Sequence, residues 1–126
     1  MLNTQLPLEE DILNQGLYMA MEFGGNWLQP VDVRLKLKFN HLSDNRVSAY
    51  DVICRKALDQ GHSFVMTSLV KLAEEGKTVG GAEFKDQFDN YIKAGFVWIN
   101  KANLEQLYSQ GVYYAWKEGF DKVIID

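Results

Sequence analysis

An all-α fold, an irregular bundle of about five helices in a single domain over residues 1–126, follows from three features of the sequence. Only two prolines occur in 126 residues, and Leu, Ala, Gln, Glu and Lys, all good helix formers, are abundant. Apolar residues recur at helical spacing in four long segments. Capping residues and glycines stand where those periodic runs begin and end. The hydrophobic fraction of 47% and charged fraction of 24% are ordinary for a globular domain able to bury one core.

The first helix is expected to start at Pro7, with Glu9, Glu10 and Asp11 in its first turn, where the helix dipole favours acids. Leu8, Ile12, Met19 and Phe23 share one stripe, with Gly16 among them, and Gly24–Gly25 ends the run. The next segment, VDVRLKLKF at 31–39, alternates apolar and polar residues as a half-buried strand does. Its flanks favour a helix: Pro30 suits a start, Asp32 lies in the first turn, and Arg34, Lys36 and Lys38 lie toward the end. Helix is the expectation here, and α+β is the alternative if residues 31–39 form a strand. Any such strand would need a partner, either FVWI at 96–99 or KVIID at 122–126. As a helix the segment is apolar on two sides, Val31 and Leu35 opposite Val33 and Leu37. It is therefore sandwiched in the core or offers one side to a partner.

Residues 44–75 read as one long helix, with Ser43 as N-cap and Gly76 as C-terminal stop. Its stripe is Val47, Tyr50, Cys54, Ala57, Gly61, Val65, Leu69 and Leu72, and Gly61 marks the place for a bend. Phe84, Phe88, Tyr91 and Ile92 define a fourth helix, which AGFVWIN extends to about Ile99. Asn103 with Gln106 resembles a capping box for the last helix, which carries Leu104, Leu107, Tyr108, Gly111, Tyr114 and Ala115 on one stripe and ends at Gly119.

Gly16, Gly61 and Gly111 each follow a Gln, and all three fall on apolar stripes. The hexamers QGLYMA (15–20) and QGVYYA (110–115) match closely, although two short matches do not establish a repeat. Glycine weakens a helix interior by roughly 1 kcal/mol relative to Ala. Close approach of a neighbouring helix offsets that cost, and this packing role is the main expectation. The alternative is a ligand pocket notched by Gly16, Gly61 and Gly111 and lined by Tyr18, Phe64 and Tyr113 or Tyr114.

Catalytic and metal motifs are absent. Asp59 and His62 form one D-x-x-H pair, where di-metal bundles use two E-x-x-H motifs and further Glu residues. Cys54 and His62 are separated by about 12 Å along a straight helix, too far for a thiolate–imidazole pair. Cys54 is expected to be a small buried hydrophobe. Gly24–Gly25 and Gly80–Gly81 lack the phosphate-loop spacing. No cofactor is expected, and an enzyme acting through His62 and Asp59 is a remote option.

Charge is distributed in blocks. Residues 1–33 hold five acids and no Lys or Arg, residues 34–56 hold six bases against two acids, and the whole chain is at −4. Opposite patches of this kind steer charged partners, or neutralise one another within one molecule. The acidity argues against nucleic acid as a partner. The single cysteine, the lack of an apolar run of about 20 residues and an N-terminus without signal-peptide character together suggest a cytoplasmic protein without a membrane span.

The function these features favour is a small acidic protein-binding module, an immunity-type inhibitor or adaptor that occludes a basic protein partner. Glu9, Glu10, Asp11, Glu22 and Asp32 would form its face, with Trp27 as an anchor. A small-ligand-binding bundle is the alternative, and homodimerisation through residues 31–39 is compatible with both.

Overall fold

The computed structural model describes residues 9–22 and 31–125. Five helices fill most of this: α1 (Glu10–Met21), α2 (Val31–Lys38), α3 (Asp44–Glu74), α4 (Gly81–Gly95) and α5 (Lys101–Lys117). Residues 79–80 (β1) and 124–125 (β2) add a minimal parallel pair, Val79 opposite Ile124. The chain is an all-α bundle, and residues 31–38 are helix.

Three mutually parallel helices form its centre. The Glu9 amide donates to the Tyr50 hydroxyl and the Cys54 thiol donates to the Leu13 carbonyl, each 41 positions apart. The Asn103 side chain donates to the Asn14 carbonyl and the Gln110 side chain to the Met21 carbonyl, each 89 positions apart. His62 meets Gln110 at a separation of 48, which closes the triangle. Leu13 of α1 therefore sits level with Cys54 of α3, and Asn14 and Met21 with Asn103 and Gln110 of α5. The intervening helices run the other way. Leu35 of α2 reaches Gly16, Arg34 reaches the Met19 carbonyl and Lys38 reaches Gln15, an antiparallel order. Phe84 and Phe88 of α4 meet Tyr108 of α5 while Lys85 binds Glu105, and Trp98, beyond the end of α4, returns to Asn14. The bundle is thus up-down-up-down-up, with α3 touching every other helix.

The glycines explain how the central helices come so close. A Cβ on Gly61 would stand 2.6 Å from Leu107, and one on Gly111 would stand 2.8 Å from Val65 and 3.7 Å from the Gly61 carbonyl. Gly16 faces the Cys54 sulfur at 2.7 Å in the same sense. Each glycine receives a side chain from the facing helix, and the dispersion attraction of that close packing outweighs the local loss of helix propensity. The α3 stripe from Val47 to Leu69 is buried throughout, and α3 runs unbroken past Gly61. Gly76 and Gly119 adopt positive φ just beyond α3 and α5, and the Ser43 hydroxyl accepts from the Arg46 amide at 3.2 Å. These ends follow the sequence expectation.

Three boundaries do not. Glu9 is extended (ψ 133), so α1 begins at Glu10; Pro7, Leu8, Phe23 and Gly24–Gly25 lie outside the described residues. Helix α4 ends at Gly95, because Phe96 leaves helical geometry (ψ 69) while staying buried. The N-cap of α5 is Asn100, whose side chain accepts from the Asn103 amide at 2.8 Å. Asn103 is instead a buried tie to α1: its amide group donates to the Asn14 carbonyl at 2.8 Å and the Asn14 side-chain oxygen at 3.0 Å. Asn14 also donates to the Trp98 carbonyl and accepts from the Asn100 amide. A buried amide left without partners would cost more than the cap it resembles would supply.

Gly61→Ala and Gly111→Ala should each destabilise the protein by about 1–3 kcal/mol, since the new methyl overlaps a packed side chain. Gly95→Ala, with nothing within 4 Å of the added carbon, should be neutral or stabilising. Urea midpoints of the three variants check this; equal effects would show that helix propensity, not contact, governs these glycines.

Candidate functional site

The sequence-marked acidic residues do not converge. Glu9, Glu10 and Asp11 are exposed at the start of α1. Glu22 lies at its far end, where it pairs with Arg34, which also donates to the Met19 carbonyl at 2.9 Å. Asp32 accepts from the Val33 amide and lies within electrostatic reach of Arg55. Lys36 pairs with Asp44 at 3.5 Å and Arg55 with Asp51 at 2.9 Å. The last two pairs lie within the basic block, whereas Glu22 with Arg34 and Asp32 with Arg55 join the acidic block to it, because α2 lies against α1 and α3. Trp27 lies outside the described residues.

The pocket candidates separate as well. Gly16, Gly61 and Gly111 are filled by Cys54, Leu107 and Val65. Phe64 stacks on Phe84 and Tyr91 at 5.9 and 4.7 Å and meets Phe88 edge-on, a cluster that seats α4 on α3. Tyr18 is exposed on α1. Of these candidates, Tyr114 lines a cleft of about 370 Å³ between the end of α1 and helices α3 and α5. Its other walls include Met21, Glu22, Leu58, His62 and Gln110.

Gln110 is buried at the base of this cleft and joins all three central helices. Its amide nitrogen donates to the Met21 carbonyl at 2.5 Å, and its oxygen lies 3.1 Å from His62 Nε2. With the amide held this way, the imidazole donates through Nε2. Burial lowers the pKa of His62, outweighing the opposing effects of the Gln110 hydrogen bond and the Asp59 charge, so the ring is neutral at pH 7. Asp59 acts on His62 only through its charge, and among the described residues no three His, Cys, Asp or Glu side chains are grouped to hold a metal. Burial, with a smaller contribution from Asp51, pushes the Cys54 thiol up to about 12, which makes it an unreactive core group.

From His62 a run of aromatic rings continues outward across α5. His62 meets Tyr114 edge-on at 5.2 Å, Tyr114 meets Tyr113 at 5.7 Å, and Tyr113 stacks on Trp116 at 6.5 Å. Tyr113 is 47% and Trp116 58% exposed, and Lys117 lies over the Tyr113 ring at 5.6 Å. Gln106, Ser109 and Gln110 lie alongside Tyr113 in a shallow depression. Sequence periodicity places Tyr114 on the buried stripe, although it is exposed; the sequence offers Tyr113 as an alternative pocket wall and is silent on Trp116. The signal for Trp116 along the chain is composition, two Tyr and a Trp within four positions.

Comparison with protein-family models, curated proteins and solved structures finds no match in any of the three.

The lowered His62 pKa fixes the sign of a pH effect. In the unfolded chain the imidazole binds its proton near 6.5; in the fold it does so only at lower pH. Its contribution is therefore complete above the unfolded value and is lost as pH falls from there through the folded value. Urea midpoints should fall between about pH 7.5 and 5.5, and His62→Gln should flatten that slope. An unchanged slope in the variant would place the titration elsewhere.

Proposed function

We propose that the protein is a protein-binding module whose docking face is the aromatic ridge Tyr114–Tyr113–Trp116 together with the cleft beside it. The observation that carries this reading is the contiguity of the rings: exposed Tyr and Trp in mutual contact, bordered by a depression. Trp and Tyr are the residue types enriched where partners bind most tightly, and large rings bury much area at little entropic cost. Around them Ser109, Gln106 and Lys117 supply a polar rim, the arrangement that protein interfaces favour.

A basic partner fits this face better than an acidic one. The exposed Trp116 ring attracts a guanidinium or ammonium, the Tyr113 ring already carries the Lys117 ammonium, and Asp59 precedes His62 by one helical turn. The partner-binding role expected from the acidic residues thus moves to a different place: the rings provide the contact, and the exposed Glu9, Glu10 and Asp11 contribute long-range attraction. Blocking access to a basic surface on the partner is the mode of action, as an inhibitor or adaptor would use.

A photo-crosslinking residue placed at Tyr113 in the source cell provides the test. One dominant product with a second protein, reduced by Trp116→Ala and by added salt, supports the reading. The same products from a crosslinker at Lys93, on the exposed side of α4, would sink it. The second reading, a small ligand in the cleft, rests on the inward-facing His62 and Gln110 groups. It requires thermal stabilisation by a small molecule that His62→Gln removes.

A further inference from the structure

The second apolar side of α2 lies outside that ridge and has its own geometry. Val31 and Leu35 are buried, whereas Val33 is 48% and Leu37 75% exposed. They border a groove of about 310 Å³ whose far wall is Val47, Ser48 and Asp44 of α3. Val52 is exposed one turn beyond Ser48. The result is a strip of two helices with an aliphatic middle.

Charges at its two ends alternate in sign. At one end Asp32 of α2 lies within electrostatic reach of Arg55 of α3, which binds Asp51 of its own helix; at the other, Lys36 of α2 binds Asp44 of α3. An acid on α2 beside a base on α3 is thus mirrored by a base on α2 beside an acid on α3. Such a pattern complements itself.

We propose that this strip is a self-association surface, on which two copies of the chain pair about a two-fold axis running across α2 between Val33 and Leu37. That axis sets Val33 against Leu37 of the partner subunit, Asp32 against Lys36 of the partner subunit and Arg55 against Asp44 of the partner subunit. Every opposition is apolar on apolar or acid on base, as an isologous interface requires. An axis lying along α2 would set Asp32 on Asp32 and Lys36 on Lys36. An axis along the groove satisfies the charges but sets Leu37, the most exposed aliphatic residue of the strip, against the α3 wall with its Asp44 and Ser48. The transverse axis alone matches both charge and apolar surface. From Asp44 to Arg55 the strip is only about 17 Å long, so the dimer is weak and concentration-dependent, at the small end of specific interfaces.

Sedimentation velocity from low micromolar to near-millimolar protein should show a monomer–dimer equilibrium. Leu37→Lys should raise its dissociation constant at least about tenfold without lowering the thermal midpoint. Asp32→Lys and Lys36→Asp should each weaken it, and the double exchange should restore it, because each new charge again meets its opposite across the axis. A mixture of Val33→Cys and Leu37→Cys proteins should form an intermolecular disulfide faster than either protein alone, a readout that does not depend on mutant stability. Monomer at every concentration, a dimer indifferent to Leu37→Lys, or no preference for the mixed disulfide would each overturn the proposal.

Discussion

The crossing of α3 and α5 at Gly61 and Gly111 is the contact on which the rest of the structure depends. Leu107 enters the space beside Gly61, Val65 enters the space beside Gly111, and the two glycine backbones face each other between them. Interlocking of this kind works in one register only. Moving α5 by a residue would replace a glycine by a side chain at a distance that real side chains do not tolerate. Gly16, receiving the Cys54 sulfur, applies the same device between α1 and α3. A helix of 31 residues thereby serves as a common axis for its four neighbours.

Buried amides reinforce that register at two levels. Near the start of α1, Asn14 and Asn103 tie it to α5, and Asn100 caps α5 beside them. Near its end, Gln110 takes the Met21 carbonyl, one of the carbonyls that a terminating helix leaves unpaired, and passes the chain of bonds to His62. Among the described residues no buried side-chain nitrogen or oxygen lacks a partner. Such groups tolerate little displacement, because each one separated from its partner would bear its full desolvation cost. The floor of the cleft is consequently rigid, and the aromatic ridge is built outward from it.

The two surfaces differ in kind. On α5 the exposed groups are aromatic rings in contact, set beside a cleft between the end of α1 and helices α3 and α5. On α2 they are aliphatic and bracketed by charges of both signs. The charge blocks of the chain, seen linearly, suggest a strongly acidic face. Folded, they cancel in part: Glu22 pairs with Arg34, and Asp32 lies within electrostatic reach of Arg55. Only Glu9, Glu10 and Asp11 keep the character the linear pattern suggests, as an exposed acidic group.

What the sequence by itself determined is the local structure. Helical periodicity marks the buried stripes of α1, α3, α4 and α5, although Tyr91 and Tyr114 on them are exposed; Ser43 opens α3, and Gly76 and Gly119 close helices, because these effects act within a few residues. It also marked the three Gln-Gly glycines as packing positions and, by its flanks and against a strand-like alternation, residues 31–39 as a helix with a second apolar side. The tertiary structure decided everything that depends on partners distant in the chain. Asn103 resembles a cap until Asn14, 89 positions away, claims its side chain. Tyr114 belongs to the stripe of α5 by spacing, yet the end of α1 leaves it at the edge of a cleft beside Tyr113. Whether an acid is free or neutralised, and whether a glycine is open or filled, depends on which helix lies opposite, and periodicity along one helix carries no record of its neighbour.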